Sequence, residues 1–148
     1  MFLALLISTV SLAQAGPMAS FDTNDSLKQW IPNAQFEDVV ITEGVLYAKA
    51  VAWDAFFSCH GLQIPATPWQ YVHIRLRASA AGKGELFWSG TTEGEYGGLS
   101  QEKSTPFQVR GTGEWEDIVV VPFWQGEGSI VQLRLDVYDG AAFAIDKI

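Results

Sequence analysis

The chain is short of cysteine, of basic residues and of long apolar runs, and each shortage argues against a class of protein. Cys59 is the only cysteine among 148 residues, so no disulfide can close within the chain and its stability must come from packing. Beside Phe56 and Phe57 it reads as a small buried hydrophobe rather than a nucleophile. Basic residues number 9 against 17 acidic ones, for a formal charge of −8. The four arginines and five lysines are scattered, without the clustered cations that nucleic acid or an anionic membrane surface requires. Histidine is scarce too, with only His60 and His73. Neither a Gly-x-Ser-x-Gly elbow nor a His-Glu-x-x-His zinc pattern occurs. Cys59 and His60 are neighbours, and neighbours in a strand point to opposite faces, so they make no dyad there.

The one notable apolar run, Phe2-Leu3-Ala4-Leu5-Leu6-Ile7, falls well below the roughly 20 residues of a spanning helix. With the small-x-small stretch Ala13-Gln14-Ala15 behind it, it reads as an export signal cleaved after Ala15. That assigns residues 1–15 to a signal peptide and 16–148 to a single domain of a secreted, extracellular or periplasmic protein. No membrane insertion is expected after cleavage.

What the chain has in quantity is aromatic side chains, six Trp, nine Phe and four Tyr, enough to form a packed core and to exclude disorder. They sit in short alternating segments separated by glycine-rich turns. Residues 36–41 and 45–51 flank Thr42-Glu43-Gly44, a hairpin turn. In 70–78, Val72, Ile74 and Leu76 alternate with His73, Arg75 and Arg77. In 130–138, Gln132, Arg134 and Asp136 share one face. Segments at 56–59, 85–89, 105–109, 115–121 and 142–148 complete about nine strands. A helical turn at 25–30 stops at Pro32. The pattern predicts an all-β antiparallel β-sandwich or barrel.

The order of landmarks from Phe21 to Ile148 resembles the galactose-binding-domain-like jelly rolls of the carbohydrate-binding-module type found in secreted bacterial proteins. It is carried by Phe21-Asp22 followed by Trp30, Glu43-Gly44-Val45-Leu46, Asp54-Ala55-Phe56 and Val72-His73-Ile74-Arg75-Leu76-Arg77. Glu85-Leu86-Phe87-Trp88, Gly113-Glu114-Trp115, Trp124-Gln125-Gly126, Leu133-Arg134-Leu135-Asp136 and Ile145-Asp146-Lys147-Ile148 continue it. The chain departs from the family pattern at Ala55 and Val137, where proline is usual, and at Lys147, where an aromatic is usual. The resemblance implies a non-catalytic carbohydrate-binding role, often beside an attached or associated catalytic domain. It also implies room for a structural calcium where the first and last strands meet, with Asp22, Asp25 and Asp146 as the nearest carboxylates. No other cofactor is required.

A sugar offers hydroxyls at its edges and a weakly apolar C–H face, which proteins meet with carboxylates, arginine forks and aromatic rings. The candidate ligand-binding residues are accordingly Trp53, Asp54, Phe56, Arg75, Trp88 and Arg134. Arg75 and Arg134 have an alternative role, pairing across strands with acids such as Asp136 or Glu85. Trp30, Trp69 and Trp115 are assigned to the core or its edges. Two rival functions stand beside glycan binding. One is a structural or protein-interaction domain, favoured if Trp53, Trp88 and Trp124 are all buried. The other is a small hydrolase, which needs two carboxylates, or a histidine and an acid, converging in a cleft with shifted pKa values; Glu93, Glu95, Glu102, Asp54 and Asp136 are available, and their spacing selects no pair.

Overall fold

Alternation of apolar and polar residues makes the strands, and burying the apolar side of each assembles them into two layers. The computed structural model describes Phe21 and residues 26–148. The leader expected over 1–15, and Asp22 and Asp25, lie outside the described residues. A four-residue helix α1 (Ser26–Gln29) leads into β1 (Trp30–Pro32), a strand that the helical reading of 25–30 did not anticipate. Then follow β2 (Phe36–Thr42), β3 (Val45–Ala50), β4 (Phe56–Pro65), β5 (Val72–Ala78) and β6 (Gly82–Ser89). The chain continues through β7 (Ser104–Val109), β8 (Glu116–Val120), β9 (Ser129–Asp136) and β10 (Ala142–Lys147).

The first sheet runs β1-β4-β9-β6-β7 and the second β2-β3-β10-β5-β8, every pairing antiparallel. This is the jelly-roll sandwich expected from the sequence. The hairpin at Glu43-Gly44 has φ of 52° and 76°, the two left-handed residues of a turn whose twist matches its strands. No helix among the described residues is long and apolar enough to cross a membrane.

Between the sheets lie Phe57, Cys59, Leu86, Trp88, Phe107, Leu133 and Leu135 from one side, and Leu46, Ile74, Leu76, Phe143 and Ile145 from the other. Each large apolar side chain so buried contributes roughly 1.5–3 kcal/mol. Cys59 is fully buried and burial pushes its thiol pKa up to about 11, which bears out its reading as an inert packing residue. Trp88 and Trp124 pack edge to face with ring centroids 6.3 Å apart, and the Trp124 indole N–H donates to Gln70 Oε1 at 2.7 Å. Trp30 is buried as expected, whereas Trp69 is 86% exposed rather than a core plug.

One end of the sandwich is closed by a buried carboxylate. Glu116 accepts the backbone N–H groups of Arg110 and Gly111 at 3.0 and 3.1 Å and the Arg110 Nε–H at 2.9 Å. Gly111 lies at φ 63° against the Ala80–Ala81 backbone, where a Cβ would come within 1.8 Å of Ala80, so only glycine fits. Burial alone would raise the Glu116 pKa, but these donors outweigh it and hold the carboxyl below the usual range. Glu116→Gln, which turns an amide N–H₂ toward donors, should therefore cost about 1–3 kcal/mol in urea unfolding at pH 7. Because the folded-state pKa is depressed, this contribution is complete above about pH 4.3 and is lost as the pH falls through the folded value. The unfolding curves of wild type and variant should converge on acidification to pH 3. A gap that stays constant would show that Glu116 stabilises by packing rather than by charge.

Candidate functional site

The outward side of the first sheet is a small lattice fixed by register. Arg134 on β9 stands opposite Ser58 on β4 and Phe87 on β6, and Asp136 stands opposite Phe56 and Glu85. One row the other way, Gln132 lies between His60 and Ser89. Arg134 is the centre. Its Nε–H and terminal N–H₂ form a fork on Asp136, at 2.6 and 2.8 Å, and the same terminal nitrogen donates to Asp54 Oδ1 at 2.7 Å. The guanidinium carbon lies 3.7 Å from the centroid of Phe56 and 5.6 Å from that of Phe87, so the cation is also held by ring faces.

Asp54 reaches this lattice from the β3–β4 loop. Asn33 donates its amide to the Asp54 carbonyl at 2.6 Å, and the Asp54 N–H donates to Gln35 Oε1 at 3.1 Å. Trp53, on the same loop, is 83% exposed. Burial pushes the Asp136 carboxyl above its ordinary value; Arg134 opposes that shift, while Asp54 and Glu85 add to it. For Arg134, desolvation disfavours the charge but its two carboxylates more than compensate and raise its pKa.

The other wall is the loop of residues 90–103. Although rich in glycine and glutamate, it is pinned at several points. The buried Gln132 amide donates to the carbonyls of Thr91 and Gly97. Glu127 accepts the Gly90 N–H at 2.8 Å and pairs with Lys103 at 3.0 Å. Gln101 and Ser104 both donate to Glu85. The loop so held presents Tyr96, 80% exposed, with its backbone in the left-handed region at φ 51°, ψ 29°. A bulky residue there is strained, and such strain persists only where surroundings impose it. Phe87, Tyr96, Leu99, Ser100, Gln101 and Arg134 line a shallow groove of about 170 Å³.

Of the six ligand-binding candidates, Asp54, Phe56 and Arg134 meet at this face, and Trp53 adjoins it. Two are corrected in their placement. Trp88 points into the core and is 3% exposed; its neighbour Phe87 takes the outward position, because Leu86 and Trp88 share the inner side of β6. Arg75 lies on the second sheet, paired with Asp117 at 3.2 Å and Asp146 at 3.3 Å, and does not join Arg134. Sequence reasoning also left out Phe87 and Tyr96; for Phe87 the signal was available, since Glu85 is outward and Phe87 follows at the strand period of two. The carboxylates Glu93, Glu95 and Glu102 stay exposed on the loop. For the calcium expectation, Asp146 is engaged by Arg75, and among the described residues no three His, Cys, Asp or Glu side chains gather to hold an ion.

No protein-family model matches the chain, and no curated protein does. Solved structures do. A carbohydrate-binding module of family 29 superposes with a TM-score of 0.53 at 7% identity, over 81% of this chain and 76% of that one. A CBM4 module gives 0.50 at 11%, over 88% and 90%. The C-terminal CBM6 of LamC, a marine laminarinase from Zobellia galactanivorans, gives 0.53 at 15%, over 81% and 94%. At these identities the likeness establishes the fold, the jelly roll expected from the landmarks.

The Arg134 cluster yields a prediction of its own. Arg134→Met keeps a stem against Phe56 and Phe87 but leaves Asp54 and Asp136 without their cation. Stability at pH 7 should fall by roughly 1–3 kcal/mol, less than the 3–5 of a fully buried pair, because the Arg134 side chain is 25% exposed. Asp136 already has a raised folded-state pKa, so its protonation favours the folded form; the variant should recover part of the loss between pH 7 and pH 4.5. Urea unfolding at the two pH values reads this directly, and an equal deficit at both would mean that the carboxylates do not repel one another.

Proposed function

We propose that this chain is a non-catalytic carbohydrate-binding domain of a secreted protein, which receives a glycan on the outer face of its first sheet. The observation that carries the reading is a guanidinium locked by Asp54 and Asp136 among Phe56, Phe87 and Tyr96. Rings supply surfaces for the C–H face of a sugar, while the fixed carboxylates, with Gln101 and Arg134, supply acceptors and donors for its hydroxyls. The solved carbohydrate-binding modules that share the fold lend the same reading weight. Three carboxylates, Asp54, Asp136 and Glu85, surround the single guanidinium, so the local charge favours a neutral glycan over an anionic one.

A hydrolase is disfavoured by the same geometry. Asp54 and Asp136 converge, but the Arg134 guanidinium bridges them where hydrolysis needs the glycosidic bond. The structural or protein-interaction rival gains from the burial of Trp88 and Trp124, and loses by the exposure of Tyr96 on the groove and of Trp53 on the Asp54 loop. Attachment to, or association with, a catalytic domain would give such a module its use, by raising the local concentration of substrate.

A shallow groove implies micromolar to millimolar binding, about −8 to −4 kcal/mol. Calorimetric titration against neutral soluble polysaccharides and their oligosaccharides should give a saturable isotherm with at least one of them. Tyr96→Gly should weaken it by about tenfold or more while leaving the fold as stable, or up to about 1 kcal/mol more stable, because it releases the left-handed strain. Wild-type affinity in both Tyr96→Gly and Trp53→Ala would remove the glycan from this face. A flat response across the panel would favour the protein-interaction reading.

A further inference from the structure

The outer face of the second sheet carries a different arrangement, again set by register. Ala144 on β10 pairs with Tyr47 on β3 at one side and with Arg77 on β5 at the other. Trp115, immediately before Glu116, which pairs with Leu76, extends the row beyond Arg77. Four side chains thus lie in line across the sheet, with the smallest in the middle. Arg77 bends over it: its guanidinium carbon is 5.0 Å from the Trp115 ring centroid and 6.0 Å from that of Tyr47, and it donates to the Tyr47 hydroxyl at 3.5 Å. Tyr47, Arg77, Ser79, Gly113, Ala142 and Ala144 border a groove of about 230 Å³.

The charges around this groove are distributed unequally. Arg75 is satisfied by Asp117 and Asp146, Asp117 also accepts from His73 at 2.8 Å, and Lys49 pairs with Glu37 at 3.7 Å. Arg77 has no carboxylate partner among the described residues; its contacts are the Trp115 ring and the ring and hydroxyl of Tyr47. In a chain of formal charge −8, a guanidinium held between rings and free of any acid is unusual. Its planar fork retains donors that suit a carboxylate or sulfate in bidentate geometry, and the Tyr47 ring on the groove suits a sugar attached to that anion. The Arg134 face has the opposite balance, one cation among three acids.

We propose that this groove is a second ligand site, taking a sugar that bears a carboxylate or a sulfate ester, with Arg77 gripping the anion, Tyr47 bordering the ring and Trp115 backing the guanidinium. The sugar part rests on the carbohydrate reading above; the anion rests on Arg77. The test is an ¹H–¹⁵N NMR titration of the chain with three probes: a trisaccharide bearing a single uronate carboxylate, one bearing a single sulfate ester, and the uncharged trisaccharide. One or both anionic probes should saturably shift the Arg77 Nε–H, the Trp115 indole N–H and the Ala144 amide, with the responding probe identifying the anion, and the uncharged probe should leave these signals in place. Arg77→Gln should weaken the response about tenfold or more, and Arg77→Lys should restore only part of it, since an ammonium lacks the fork. Tyr96→Gly should leave it intact. Absence of shifts with both anionic probes, shifts confined to the Arg134 face, or shifts indifferent to Arg77→Gln would each overturn the second site. Neutral glycans binding at Tyr96 while both anions fail here would sink this proposal and spare the first; anions binding here while no neutral glycan binds would do the reverse.

Discussion

Strand alternation is the constraint from which both surfaces of this molecule follow. A strand shows successive side chains to opposite sides, and a sandwich buries one side of each sheet completely. A shift of one position therefore exchanges core for surface. Phe56 and Phe57 are chemically the same residue one step apart, yet Phe57 fills the core while Phe56 lies flat against Arg134. Phe87 and Trp88 divide in the same manner. The core demands Leu86 and Trp88 on the inner side of β6, and that demand alone puts Glu85 and Phe87 outside, where they border the arginine.

Once the register has placed Arg134 at the middle of the outer face, electrostatics determines the rest. A guanidinium partly withdrawn from water is costly unless its donors are used, and here three of its hydrogen bonds go to Asp136 and Asp54. The cost of bringing two acids together is offset by the cation between them, which is why Asp136 tolerates burial, Asp54 and Glu85 nearby. Such a cluster adds little net stability compared with apolar residues of the same shape. What it does is fix the direction of polar groups before any ligand arrives, so that less ordering remains to be done on binding.

The sequence disclosed those features that depend on local pattern. The nine strands from β2 to β10, the Glu43-Gly44 turn, the buried Cys59 and the outward Gln132, Arg134 and Asp136 all follow from spacing, and so does the choice of Asp54, Phe56 and Arg134. The error at Trp88 came from weighing residue type over parity, because tryptophan is the most attractive sugar platform. The wall at Tyr96 is legible as an aromatic in the loop after Trp88, but its ordering is not, for another reason. Its loop is polar and glycine-rich, which locally means solvated, and what orders it are Gln132 and Glu127, some 25 to 40 positions later in the chain. Trp69 shows the converse, a residue whose chemistry favours burial left exposed on the β4–β5 loop, while the neighbouring Gln70 turns inward to accept the Trp124 indole N–H.

The two outer faces, finally, solve the arginine problem in opposite ways, and the difference has consequences for what can approach each. On the first sheet the cation is neutralised within the protein, so an arriving anion would meet a surplus of carboxylate and would have to compete with Asp54 and Asp136 for donors already in use. On the second, Arg77 is held by ring faces and gives one N–H to the Tyr47 hydroxyl, which leaves its remaining donors uncommitted to any acid among the described residues. The strongly acidic remainder of the chain slows the approach of any polyanion, so only an anion that can come close enough for short-range, bidentate contact gains from Arg77. Under the proposed reading, that selects for an isolated carboxylate or sulfate on an otherwise neutral chain over a densely charged one, and the two faces would take ligands that need not compete.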